Sequence, residues 1–161
     1  MPAKVTENQR QRAPSRRSLA TRTRIFDSAE QLFAARGFDG TSIRDIARAA
    51  GVQGALVHHH GGSKESLFQA VVSRRAEELA QLRLAALERC RTSGETGLRA
   101  VLACFLTPFF ELLFDGGPEW RAYGRLIAHV SADDRWRPLT EACFDPTASV
   151  FIDEIALLLP Q

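Results

Sequence analysis

From Leu19 onward the large apolar residues recur at three- and four-residue steps, and no segment of useful length alternates apolar with polar side chains. A step of 3.6 gathers apolar groups on one helix face, whereas a strand needs a step of two. The spacing therefore predicts an all-α chain, cut into helices by Gly37, Gly51, Gly61-Gly62, Gly94 and Gly116-Gly117-Pro118. Ile25, Ala29, Leu32 and Phe33 mark the first helix; Gly37 stops it and lets Phe38 pack back on the last turn. Asp39-Gly40 is turn chemistry. Ser42 and Asp45 fit a capping box, with Asp in place of the usual Glu, ahead of the apolar face Ile43, Ile46, Ala47 and Ala50. Gly51 ends that helix, Val52 follows, and a short segment runs from Gln53 to His59 or His60. Two short helices joined around a glycine describe a helix-turn-helix, here at about residues 41–60.

Beyond it, Ser63 caps a long helix with Leu67, Phe68, Val71, Val72, Ala76, Leu79, Leu82 and Ala86 inside, ending between Cys90 and Ser93. Later helices are expected from Gly97 to Phe114, kinked at Pro108, from Glu119 to Val130, and from Pro138 to Leu159, interrupted at Asp145-Pro146. Residues 1–18 read as a disordered basic arm, 19–65 as the DNA-binding helix-turn-helix domain and 66–161 as a helical regulatory domain. The net charge of +2 hides an asymmetry. Residues 1–75 carry 13 Lys and Arg against 6 Asp and Glu, a net +7, and residues 76–161 carry 8 against 13, a net −5. The basic half suits phosphates, which the acidic half repels. No run reaches the ~18 apolar residues of a membrane span. Residues 1–24 lack the apolar core of a secretory signal. Cys90, Cys104 and Cys143 form no CxxC pair, so reduced thiols in a cytoplasm are expected.

Residues 21–52, TRTRIFDSAEQLFAARGFDGTSIRDIARAAGV, with SKESLFQAVV at 63–72, resemble the DNA-binding domain of the TetR family. The specific features are the Arg-Gly-Phe stop, the Thr-Ser start, Ile-Ala-x-x-Ala-Gly-Val and Ser-Lys-Glu-x-Leu-Phe, in register over about 50 residues. The stretch from Glu119 to Pro160, particularly FDPTASVFIDEIALLLP, also looks like a family C-terminal domain. The resemblance implies a dimeric regulator of a palindromic double-stranded DNA operator, most often a repressor. It also implies a C-terminal helical domain that dimerises and binds an unidentified small-molecule effector. Family members usually add two more long helices that form the dimer contact, and this chain stops at Leu157-Leu158-Leu159-Pro160-Gln161. Either the chain is truncated or its dimer contact is unusual, so poor dimerisation and exposed apolar surface are expected.

By resemblance, Gln53, Gly54, Ala55, His58 and His59 face the major groove. Gln suits adenine, Gly and Ala allow close approach and a thymine-methyl contact, and His can donate to bases or phosphates. Thr41, Ser42, Arg44 and Lys64, with Arg48 less firmly placed, would position the domain through phosphates; helix N-termini add free N–H groups. Leu56 and Val57 are read as packing partly against the first two helices, and His60 as structural. Family members often carry Tyr where His58-His59 stand and Phe where Gly61 stands, which predicts a looser recognition helix. The three consecutive histidines are not read as a metal site, because neighbours on a helix point ~100° apart. In the C-terminal half Phe105, Phe109, Trp120, Arg125 and His129 are the candidate effector residues, beside the plainer reading of helical core. No catalytic triad, carboxylate pair, P-loop or dinucleotide fingerprint is present, so neither an enzyme nor a cofactor is expected. The rival reading is a helical-bundle interaction protein that does not bind DNA.

Overall fold

The computed structural model describes residues 15–94 and 97–159. These form α1 (Arg16–Arg36), α2 (Ile43–Ala50), α3 (Gly54–Gly61), α4 (Lys64–Ser93), α5 (Leu98–Asp115), α6 (Pro118–Ser131) and α7 (Arg137–Leu158), with a 3-10 turn at Asp134–Trp136 ahead of α7. The described residues contain no strand.

The local reasons are those of the sequence. Ser15, Ser42 and Ser63 each accept a hydrogen bond from the backbone N–H three residues on, capping α1, α2 and α4. The Ser42–Asp45 box is complete: the Asp45 N–H donates to the Ser42 Oγ at 3.1 Å, and the Ser42 N–H donates to the Asp45 Oδ2 at 3.3 Å. Gly37 ends α1 with its N–H on the Phe33 carbonyl at 2.9 Å. Phe38 then folds back, stacked on Phe33 with ring centroids 6.1 Å apart.

Three expectations need correction. Residues 16–18 of the expected basic arm form the first turn of α1, because Ser15 caps the helix there; residues 1–14 lie outside the described residues. Asp145-Pro146 does not interrupt the last helix, since α7 runs through Pro146 unbroken. Leu82, expected inside, is exposed. Pro108 likewise lies within α5 without ending it. The Phe105 carbonyl of α5 accepts from the Arg83 Nε of α4 at 2.8 Å.

One continuous core joins both halves. Ile25, Phe26, Ala29 and Phe33 of α1 meet Ile46 of α2, Val57 of α3, Leu67, Phe68 and Val71 of α4, and Tyr123 and Leu126 of α6. Burying each of these large side chains contributes roughly 1.5–3 kcal/mol. A second, smaller cluster of Leu87, Val101 and Phe151 ties α4, α5 and α7 together. Two polar contacts run through the main core. Glu30 of α1, fully buried, accepts from Arg74 Nη2 and Arg75 Nε of α4, both at 3.1 Å. The Tyr123 hydroxyl of α6 donates to the Val72 carbonyl of α4 at 3.1 Å, and burial pushes its phenol far above the ordinary value.

Candidate nucleic-acid interface

The turn between α2 and α3 depends on one backbone choice. Gly51 caps α2 in the left-handed region, with φ 64 and ψ 40. A side chain there would cost roughly 1–2 kcal/mol. The reversal sends the Val52 N–H back to the Ala47 carbonyl at 3.0 Å and starts α3 at Gly54. α3 is fastened by Val57, which is fully buried against the core, while Ala55, Leu56, His58 and His59 are exposed. Leu56, expected to share the packing, instead faces outward.

Gln53 is the N-cap of α3 but makes no side-chain cap bond, so its exposed amide is not spent on the helix. A Cβ built on Gly54 would meet nothing within 4 Å. The fold does not require glycine there, and the open space lies at the start of the exposed helix. The His58 Nδ1–H donates to the Gly62 carbonyl at 3.1 Å, which leaves the neutral ring's Nε2 as a hydrogen-bond acceptor. His59 and His60 rest ring against ring, centroids 4.9 Å apart. Burial holds the His60 imidazole below its ordinary pKa, with the neighbouring His59 acting in the same direction. Among the described residues no three His, Cys, Asp or Glu side chains gather as a metal would need.

Gly61 lies close against the core. A Cβ there would lie 2.9 Å from Leu67 Cδ1 and 3.2 Å from Leu67 Cβ. Leu67, fully buried, supplies the apolar contact between the end of α3 and the core.

Of the residues expected to hold phosphates, Ser42, Arg44 and Arg48 are exposed on the α2 side. Arg48 leans on Asp45 at 3.4 Å. The Ser42 hydroxyl is committed to the Asp45 carboxylate at 2.6 Å, leaving mainly the helix N–H groups for a phosphate. That bond holds the Asp45 carboxyl below its ordinary pKa. The Lys64 ammonium sits 4.1 Å over the Phe38 ring, held beside the α1–α2 loop. Thr41 is a correction: its side chain is buried and its hydroxyl bridges the Leu32 carbonyl at 3.2 Å and the Gly37 carbonyl at 2.9 Å. It fixes the loop into α2 and has no surface to offer a phosphate.

Residues the sequence reasoning passed over complete the surface. Arg17, Thr21 and Arg24 of α1 line a groove together with Arg48, Gln53 and Leu56. Three guanidinium groups and no carboxylate therefore border the start of α3. The signal was present: positions 17, 21 and 24 fall at three- and four-residue steps on one face of α1, on the side away from Phe26.

The candidate effector residues do not form one site. Phe105 packs on Phe151 at 5.0 Å in the smaller cluster, and Phe109 and Trp120 pack on the main core. Arg125 and His129 are exposed on α6, outside the core that takes Tyr123 and Leu126. Aromatic bulk in these helices went into packing them together. A cleft of ≈ 380 Å³ lies elsewhere, between α4 and α5, bordered by Ala86, Arg89, Cys90, Cys104, Thr107 and Glu111.

Comparison with known proteins agrees with this layout. Residues 25–71 match the family described as "Bacterial regulatory proteins, tetR family", and residues 103–161 match "Tetracyclin repressor-like, C-terminal domain". The chain is 31% identical over 122 residues to the HTH-type transcriptional repressor KstR2 of Rhodococcus jostii, covering 74% of this chain and 56% of that protein. It is 46% identical over 70 residues to the HTH-type transcriptional regulatory protein RaaS of Mycobacterium tuberculosis, covering 44% of this chain and 32% of that one. The chain thus spans about half the length, or less, of these relatives. A solved structure from Shewanella sp. PV-4, described as a tetR family transcription regulator, shares the fold with TM-score 0.66 at 23% identity, covering 85% of this chain and 69% of that one. No helix among the described residues is long and apolar enough to cross a membrane. With successive stretches of sequence matching both family domains and the fold shared, this chain belongs to the TetR family of bacterial regulatory proteins.

Proposed function

We propose that this chain represses transcription by binding a palindromic DNA operator in the cytoplasm, with α3 in the major groove, and that a small molecule bound by the C-terminal helices releases it. The observation that carries the reading is the outward face of α3. A short helix is pinned by one buried valine, and Gln53 at its start with Ala55, Leu56, His58 and His59 stands exposed, all but Leu56 polar or small enough for base edges. Gln53 offers both amide donor and acceptor, the pattern that pairs with adenine N7 and N6. The His58 Nε2 acceptor suits an amino group on a base edge better than a phosphate while the ring is neutral. Arg17, Arg24, Arg44 and Arg48 flank the helix as phosphate contacts, and Ser42 and Lys64 contribute at the two neighbouring helix starts. The cleft between α4 and α5 is where we place the effector.

Selection of bound duplexes from a random pool tests this. An enriched inverted repeat is expected, with the preference altered at one position per half-site by Gln53→Ala and at another by His59→Ala. Unselective retention, or the same enriched sequence for both variants, would count against α3 as the reading element.

A further inference from the structure

Two of the three cysteines share one cleft. Cys90 stands near the end of α4 and Cys104 in the second turn of α5, and both line the space of ≈ 380 Å³ between these helices, with Arg89 and Glu111 beside them. The Cys104 Sγ–H donates to the Ala86 carbonyl at 3.4 Å. Within α4 that carbonyl faces the N–H four residues on, which is that of Cys90. A helical side chain also leans back over the preceding turn, so the Cys90 thiol lies over the turn that Ala86 begins. The two sulfurs are thus gathered at one turn of α4. Nearby, the Arg83 Nε bond to the Phe105 carbonyl fixes the register of α5 on α4. The two thiols differ in access: Cys90 is buried and Cys104 half-buried. Cys143 belongs elsewhere, on α7, with its sulfur 3.4 Å from the Ser73 Oγ.

We propose that Cys90 and Cys104 form a dithiol site that senses a hydroperoxide, the signal being a disulfide between α4 and α5. The proposal rests on the placement of the effector in this cleft and names its chemical class, an oxidant. In a reducing cytoplasm paired thiols stay reduced until an oxidant arrives, and disulfides there are mostly transient and sensory. Cys104, the more accessible thiol, attacks the terminal oxygen of the hydroperoxide. The O–O bond breaks, the sulfur keeps the OH as a sulfenic acid, and the alcohol leaves with the thiol's proton. The Cys90 sulfur then attacks the Cys104 sulfur; the S–S bond forms, and hydroxide departs as water with the Cys90 proton. Two thiols and one hydroperoxide give one disulfide, one alcohol and one water, and the two electrons lost by sulfur reduce the O–O bond. The new bond displaces the Cys104 hydrogen bond to Ala86 and holds the two Cβ atoms about 3.5–4.5 Å apart. α4 carries the change towards the DNA-binding half, because the same helix begins at Lys64, beside the end of α3.

Titration of the full chain with hydrogen peroxide, followed by non-reducing peptide mapping, tests this on the parent protein. A Cys90–Cys104 link is expected, reversed by dithiothreitol, with Cys143 still open to alkylation. Cys90→Ser should stop at a Cys104 sulfenic acid that dimedone traps, and Cys104→Ser should leave Cys90 unoxidised at the same dose. A parent chain that forms no such link, or links through Cys143 instead, overturns the proposal and leaves the cleft to a non-covalent effector. Anisotropy on a duplex enriched from the random pool reads the second half of the claim. Oxidation should lower affinity roughly 5- to 150-fold, the usual span of coupling between two sites, and dithiothreitol should restore it. A link that forms while affinity stays unchanged overturns the sensing role, and with it the placement of the effector in this cleft.

Discussion

The arginine groove beside α3 makes a quantitative claim about salt. Arg17 and Arg24 stand on the exposed side of α1, line the same groove as Gln53, and have no carboxylate partner among the described residues. If each neutralises one DNA phosphate, each contributes about 0.9 to the slope of log affinity against log salt concentration. Replacing both by Gln keeps the long polar side chains and removes the charge, so the slope should become shallower by about 1.8. Over a fourfold rise in salt, the parent should therefore lose about 12-fold more affinity than the double variant. Neither side chain supports the core, so the melting temperature should hold. Fluorescence anisotropy on a labelled duplex over a salt series reads the slope directly. The phosphate contribution is independent of sequence, so the operator need not be known. An unchanged slope in the double variant would refute the assignment of this groove to the DNA backbone. An altered base preference from random-pool selection would do so as well, because backbone contacts carry no sequence information.

Gly54→Ala separates fold from function: with open space around the added methyl, stability should stay level or rise by up to about 1 kcal/mol, while affinity for selected DNA falls because the helix can no longer approach as closely. Equal affinity by anisotropy would show that Gly54 is not at the interface. Glu30→Gln should destabilise the chain by about 3–5 kcal/mol in urea unfolding, since it strips the buried charge from between Arg74 and Arg75; a loss below about 1 kcal/mol would mean that these arginines are satisfied without it. Asp45 gives a pH signature. Its carboxyl is held below the ordinary 3.8, chiefly by the Ser42 hydroxyl, so its stabilising effect is present above that value and lost as pH falls through the lower folded value. The melting-temperature gap between parent and Asp45→Asn, open near neutral pH, should close in strong acid, and a gap that persists there would disprove the linkage.

The N-terminal half was legible because its signals are local. Ser42 with Asp45, Gly37 before Phe38, and Gly51 between two apolar patterns each dictate a backbone event within a few residues, and the structure contains each one. Thr41 was misread because its role is not local. Only the approach of the α1–α2 loop to the end of α1 puts the Leu32 and Gly37 carbonyls within reach of its hydroxyl. At Gly61 the neighbour is likewise out of local reach: a Cβ there would press on Leu67, six residues later. In the C-terminal half the apolar pattern located α5, α6 and α7 but not their partners. The same aromatic residues can line a cavity, fill a core or stand exposed, and the choice rests on helix crossings that no local spacing encodes. Pro146 shows the limit plainly: it was expected to interrupt its helix, and α7 runs through it.

α1 is the element that both halves of the chain share, and its contacts constrain how they can move. Its first turns bring Arg17 and Arg24 beside α3; its middle buries Glu30 between Arg74 and Arg75 of α4; its apolar face packs on α6. α6 is in turn tied to α4 through the Tyr123 hydroxyl and the Val72 carbonyl. An apolar contact tolerates a small slide, but a buried charged hydrogen bond is directional and costly to open. A ligand that shifts α4 must therefore either carry α1 with it or break the Glu30 pairs. In the first case the displacement reaches the arginine groove and the buried side of α3 together, because Val57 and Ile25 share one core. Communication from the C-terminal helices to the DNA surface then needs no flexible hinge. It needs the Glu30 cluster intact, so Glu30→Gln should uncouple the effector from DNA release even in protein that remains folded.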